Sequence, residues 1–93
     1  MINFKNKKIL ITGATGGIGK ALVEKFVSLE GIVLATGTKT EKLETLKKDF
    51  PNISILKFDI SDHSKIEEFI ENVSSQLSGL DILVNNAGIN MDN

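Results

Sequence analysis

The run Thr12-Gly13-Ala14-Thr15-Gly16-Gly17-Ile18-Gly19 constrains this 93-residue chain more than any other stretch. It joins an apolar strand, Lys8-Ile9-Leu10-Ile11-Thr12, to a segment in which Ile18, Leu22, Phe26 and Leu29 recur at the spacing of a buried helix face. A glycine-rich turn between strand and helix suits an anionic ligand. Gly13 allows a tight turn off the strand. Gly17 and Gly19 permit close approach of backbone and helix where a β-carbon would obstruct a pyrophosphate or the packing. Free amides at the helix N-terminus, aided by the helix dipole, then face the phosphates.

Alternation of strand and helix continues to the end of the sequence. Gly31 is expected to end the first helix, and Ile32-Val33-Leu34-Ala35-Thr36 forms the second strand. Leu43, Leu46 and Phe50 mark one face of a second helix that breaks before Pro51. Ile53 to Phe58 forms the third strand. Ser61 or Asp62 caps a third helix with the stripe Ile66, Phe69, Ile70, Val73 and Leu77, which Gly79 stops. Asp81-Ile82-Leu83-Val84-Asn85 is the fourth strand. This order predicts an α/β fold, the N-terminal half of a Rossmann-type doubly wound parallel sheet. Four strands in the order 3-2-1-4 and three helices are expected, with right-handed crossovers. Two helices then cover one face and one the other, leaving the side around the first and fourth strands partly bare. The apolar edge Ile82-Leu83-Val84 expects a further neighbour.

Composition removes several function classes. Cysteine is absent, which excludes disulfides and thiolate chemistry, and no metal-ligand spacing occurs. The 11 basic and 12 acidic residues leave a net charge of −1, arguing against nucleic acid or an anionic membrane as partner. No apolar run approaches the ~20 residues of a membrane span, and the N-terminus is not a signal peptide, so a cytoplasmic address is expected. Every basic residue is lysine, so side-chain grip on an anion relies on point charges or hydroxyls. Tyrosine and tryptophan are missing altogether. No phenolic acid or base is available in these residues.

The remaining ligand signals fall at strand ends. After the second strand, Thr36-Gly37-Thr38-Lys39 offers a hydroxyl and an ammonium where an acid would select NAD, which favours NADP(H) over NAD(H). Lys39 also fits a solvated loop. Asp59, at the end of the third strand, suits the adenine amino group, or the backbone amides of its own turn. Asn85-Asn86-Ala87-Gly88 follows the fourth strand on the same carboxyl edge, where open α/β sheets bind ligands. His63 and the trio Glu67, Glu68 and Glu71 read as solvated surface.

Together these motifs resemble the short-chain dehydrogenase/reductase family, at that family's usual separations and over the whole chain. Within it the sequence is most similar to bacterial 3-oxoacyl-acyl-carrier-protein reductases, through Met1-Ile2-Asn3-Phe4, the stretch Asp81 to Ile89, and Asp92-Asn93. The resemblance implies that Gly13, Thr15, Gly16 and Ile18 form the phosphate-binding turn, with Ala14, Gly17 and Gly19 inside it. It implies that Thr38 meets the 2′-phosphate, that Asp59 and Ile60 contact adenine, and that Asn86, Ala87 and Gly88 line the ribose and nicotinamide side. Many NADPH-dependent relatives have arginine where this chain has Gly16; Lys39 is the substitute cation.

Family members run well over twice this length, and their catalytic serine, tyrosine and lysine lie beyond residue 93. Residues 1–93 are therefore expected to be a cofactor-binding domain truncated before the catalytic and substrate-binding part, with no catalytic residue of its own. The implied parent activity is NADPH-dependent reduction of an acyl-carrier-protein thioester by an oligomeric enzyme. Two alternatives stand beside it. One is a non-catalytic NADP-binding module or a truncated product; the other is a family member acting on a different small ketone or alcohol.

Overall fold

A computed structural model describes residues 3–87 of the chain. The apolar runs become strands β1 (Lys8–Ile11), β2 (Ile32–Gly37), β3 (Ser54–Lys57) and β4 (Ile82–Val84). Between them lie helices α1 (Gly17–Ser28), α2 (Thr40–Asp49) and α3 (Ile66–Leu77), the last preceded by a 3-10 turn at His63–Lys65. All strand pairs are parallel and the sheet order is β3-β2-β1-β4, as expected. No described helix is long and apolar enough to cross a membrane.

The period-2 alternation of the strands divides the core in two. Ile9 and Ile11 of β1, with Val33 and Ala35 of β2, point to the face covered by α1 and α2 and pack with Ala14, Val23, Leu46 and Ile53. Leu10 and Leu34 point the other way and meet Phe69, Val73 and Leu77 of α3. The register pairs Leu10 with Leu83 of β4, yet Leu10 is sealed while Leu83 is 57% exposed. The single helix on that face therefore reaches β1 and stops, and Ile70 of α3 is also left exposed. This is the bare flank that the crossover rule implied. Among the described residues, β4 pairs with β1 alone.

Three local expectations need correction. On α1 the buried residues are Gly19 and Val23, whereas Ile18 is 64% exposed. Leu22 and Phe26 do pack against the core as expected, but at the start of the helix Gly19 takes the inward position, close against Gly13 and Ala14, and Ile18 faces out. Gly31 does not supply the left-handed residue that ends α1; Glu30 does, at φ 66°. Gly31 has no positive φ, and a β-carbon there would sit 2.6 Å from Ile9 Cδ1, the tip of a side chain, and 3.2 Å from the Phe26 carbonyl oxygen. Finally, neither Ser61 nor Asp62 caps α3. Asp62 instead accepts from the Ser64 hydroxyl at 2.7 Å, and the helix starts only at Ile66.

Candidate cofactor site

The carboxyl ends of the strands border a cleft of about 690 Å³, within the size range of small-molecule and cofactor pockets. Its floor is the turn after β1. Gly13 adopts φ 60°, and a β-carbon on it would lie 2.9 Å from Ala87 Cα, so both conformation and close approach require glycine there. At Gly19 a β-carbon would strike the Gly13 carbonyl and lie 2.6 Å from Ala14 Cα. Gly17 differs, because its missing side chain faces open space. Gly17 is among the residues that line the cleft.

Gly16 is the residue before α1, in an extended conformation (φ −78°, ψ 176°), and provides no side-chain cap. No acid occupies the first turn either. Among the described residues, the amide ends of Gly17, Ile18 and Gly19 thus keep their donors and the positive end of the helix dipole for whatever occupies the cleft. The open positions at Gly16 and Gly17 and this uncapped amide set fit a pyrophosphate.

The turn is held from both sides. The Ala14 N–H donates to the Thr36 carbonyl at 2.9 Å, and the Ala14 side chain is sealed in the core. Ala14 is therefore scaffolding behind the cleft and not part of its lining. On the other side, the buried Thr12 hydroxyl donates to Asn85 Oδ1 and accepts from the Ala87 N–H, both at 3.1 Å. Asn86 Nδ2 donates to the Gly13 carbonyl at 2.9 Å. The ends of β1 and β4 are thereby locked together. Sequence placed Thr12 at the head of the glycine motif and gave it no role of its own; the bridge to Asn85 and Ala87 is a tertiary feature.

Beyond β2, Thr38 lines the cleft, and Thr15 packs against Gly37 beside it. Lys39 precedes α2, is exposed, and lies outside the lining. Asp59 is exposed, and its Oδ1 accepts from the Ser61 hydroxyl at 2.7 Å and the Ser61 N–H at 3.0 Å. The hydroxyl first, then the amide, holds its carboxyl below the ordinary aspartate value. The local role weighed for Asp59 is thus real, while Oδ2 has no partner among the described residues. Ile60 and Phe58 complete this end. Gly88 lies outside the described residues. His63 and the three glutamates are exposed, and no metal-holding cluster occurs among the described residues.

Known proteins resemble this chain in sequence and fold. Residues 7–93 match the family model described as short chain dehydrogenase. The chain is 38% identical over 82 residues to the NADP-dependent 3-hydroxy acid dehydrogenase YdfG of Escherichia coli, covering 87% of this chain and 33% of that protein. It is 36% identical over 93 residues to the 3-oxoacyl-[acyl-carrier-protein] reductase FabG of Salmonella typhimurium, covering 99% of this chain and 38% of that one. A short chain dehydrogenase structure from Bacillus anthracis superimposes with a TM-score of 0.82 at 30% identity, over 91% of this chain and 36% of the other. The chain spans roughly a third of the length of such relatives. With its glycine turn, strand order and NNAG segment in that frame, the chain belongs to the short-chain dehydrogenase family.

Proposed function

We propose that the chain binds NADPH in this cleft and forms the cofactor domain of a reductase acting on 3-oxoacyl thioesters of acyl-carrier protein. The observation that carries the cofactor reading is the uncapped N-terminus of α1 beneath the open faces of Gly16 and Gly17. The first-turn amides hold the pyrophosphate; Thr15 and Thr38 meet the 2′-phosphate, with Lys39 adding charge from outside the lining. Asp59 Oδ2 accepts from the adenine amino group beside Ile60, and Asn86 with Ala87 and Gly88 lies along the nicotinamide ribose.

Bound there, the reduced cofactor supplies a hydride to a carbonyl. The residues of this chain bind and orient it, and Thr12 and Asn86 keep the two halves of the cradle in register. The proton donor of the family mechanism, a tyrosine, is not among these 93 residues, so residues 1–93 contribute binding without turnover. The substrate reading draws on likeness to the FabG protein named above. A second reading, a 3-hydroxy acid dehydrogenase, draws on the similar identity to YdfG. The proposed setting is cytoplasmic.

Titration of the 93-residue chain with NADPH, followed by cofactor fluorescence, tests the binding claim. Saturable binding that is tighter for NADPH than for NADH supports it. Absence of saturation by a folded chain refutes it. Oxidation of NADPH with an acetoacetyl thioester by the same chain would refute the claim that these residues lack the chemistry.

A further inference from the structure

Phe69 lies in α3, is 4% exposed, and is no part of the cleft lining. Its ring stacks on Phe58 with centroids 3.9 Å apart and planes 9° from parallel. Phe58 does line the cleft. It is the residue at which the chain leaves β3, and its N–H donates to the Gly37 carbonyl at 2.9 Å. Thr38 follows Gly37 on one side of that bond, and Asp59-Ile60 follows Phe58 on the other. The two walls of this end of the cleft therefore meet at Phe58. The remaining hydrogen bonds of the segment are local, from Ser61 to Asp59 Oδ1 and from the Asp62 N–H to the Asp59 carbonyl. Such bonds shape the turn without fixing it to the body of the protein. The aromatic stack connects it to the core formed by Leu10, Leu34, Val73 and Leu77.

We propose that Phe69 is a positioning residue for the adenine end of the site, acting through its stack on Phe58 to hold the Asp59-Ile60 wall beside Thr38. The proposal rests on the cofactor reading above. Phe69→Leu keeps an apolar side chain in the core and removes the ring face on which Phe58 rests. Because the stack is formed before the ligand arrives, its worth bounds the effect, and affinity should fall by no more than about tenfold. Adenosine 2′,5′-bisphosphate, which carries only the adenine end, should lose the same factor as NADPH.

The test uses the 93-residue chain under conditions where circular dichroism shows each variant folded. Val73→Ala removes volume from the same cluster and should leave both affinities unchanged. In a Phe58→Leu background, Phe69→Leu should have no further effect, whereas a purely structural role would weaken binding again. Wild-type affinity in folded Phe69→Leu, or an undiminished loss in the Phe58→Leu background, overturns the proposal. If Phe69→Leu does not fold, Phe58→Leu decides alone, and retained affinity in it overturns the proposal. Failure of the wild-type chain to bind either ligand sinks the cofactor reading itself, which separates the two claims.

Discussion

Gly17 and Gly19 are two residues apart in one turn, and substituting alanine at each should give opposite results. At Gly19 the added β-carbon meets the Gly13 carbonyl and would stand 2.6 Å from Ala14 Cα and 2.9 Å from Ala14 C. All three are backbone atoms, so no side-chain rotation relieves the contact, and α1 must move from the sheet by a large fraction of an ångström. Forced overpacking of this kind costs about 1–3 kcal/mol, and an immovable backbone places this site at the upper end. Alanine's better helix propensity returns at most ~1 kcal/mol. A net loss of roughly 2 kcal/mol is a large share of the stability of so small a domain. At a urea slope of ~1 kcal/mol per molar, the midpoint should fall by about 2 M.

Gly17→Ala meets nothing within 4 Å. Its urea midpoint should hold or rise by no more than about 1 M, because at that slope the helix-propensity gain of at most ~1 kcal/mol moves it no further. In the proposed binding mode a methyl on this cleft-lining residue crowds the pyrophosphate, and NADPH affinity should fall about tenfold, which is about 1.4 kcal/mol. Urea melts followed by circular dichroism and NADPH titration on the same samples give both numbers. An unchanged midpoint for Gly19→Ala, or unchanged affinity for Gly17→Ala, would refute the division between packing glycine and ligand glycine.

Thr12→Val preserves shape but strips the hydroxyl that bridges Asn85 and the Ala87 N–H, and should cost about 1–3 kcal/mol in a urea melt; no loss would show that the bridge is idle. Because Ser61 holds the Asp59 carboxyl below its ordinary value, the turn's contribution is complete at neutral pH and is lost only as pH falls through that depressed value. An NMR titration should therefore find the Asp59 carboxyl below ordinary aspartate, and in Ser61→Ala it should return upward; an ordinary value in wild type refutes the geometry. Lys39→Ala should weaken NADPH only about two- to threefold, as expected for a screened charge outside the cleft, and leave NADH unchanged. A hundredfold loss in the same fluorescence titration would place Lys39 on the phosphate.

Strand order, helix count and the uneven covering of the sheet were legible because each follows from alternation of period and from crossover handedness. The glycine turn was legible as a turn between strand and helix at the carboxyl edge, where it lines the cleft, since strand, turn and helix all stood in sequence. What sequence did not reveal is which glycine does what. Gly17 and Gly19 look alike in the motif, yet only the placement of the Gly13 carbonyl and Ala14 against α1 distinguishes them. The outward Ile18 has the same origin, because contact at Gly19 turns the first residues of α1 away from the core, while Leu22 and Phe26 pack as expected. Phe58 and Phe69 were read as a strand end and a stripe residue. Their stacking depends on the approach of α3 to the end of β3, a tertiary fact without local signature.

Among the described residues, the lining of the cleft carries one charged side chain, the acidic Asp59, although its proposed ligand is strongly anionic. Attraction must then come from oriented neutral groups, namely the first-turn amides of α1 and the hydroxyls of Thr15 and Thr38. Such donors are fixed by the fold and lose little to salt, whereas lysines on the surface are screened within about 10 Å. Discrimination between NADPH and NADH by hydroxyls is correspondingly modest, because they bring neither a full charge nor a bidentate fork to the 2′-phosphate. Gly16 shows how open this balance is. Its φ of −78° suits any residue, and a β-carbon there would find only the Gly13 carbonyl, at 4.0 Å. A cationic side chain could be accommodated at that position without disturbing the turn, and Gly16→Arg should sharpen the preference for the 2′-phosphate while leaving the stability of the domain as it is.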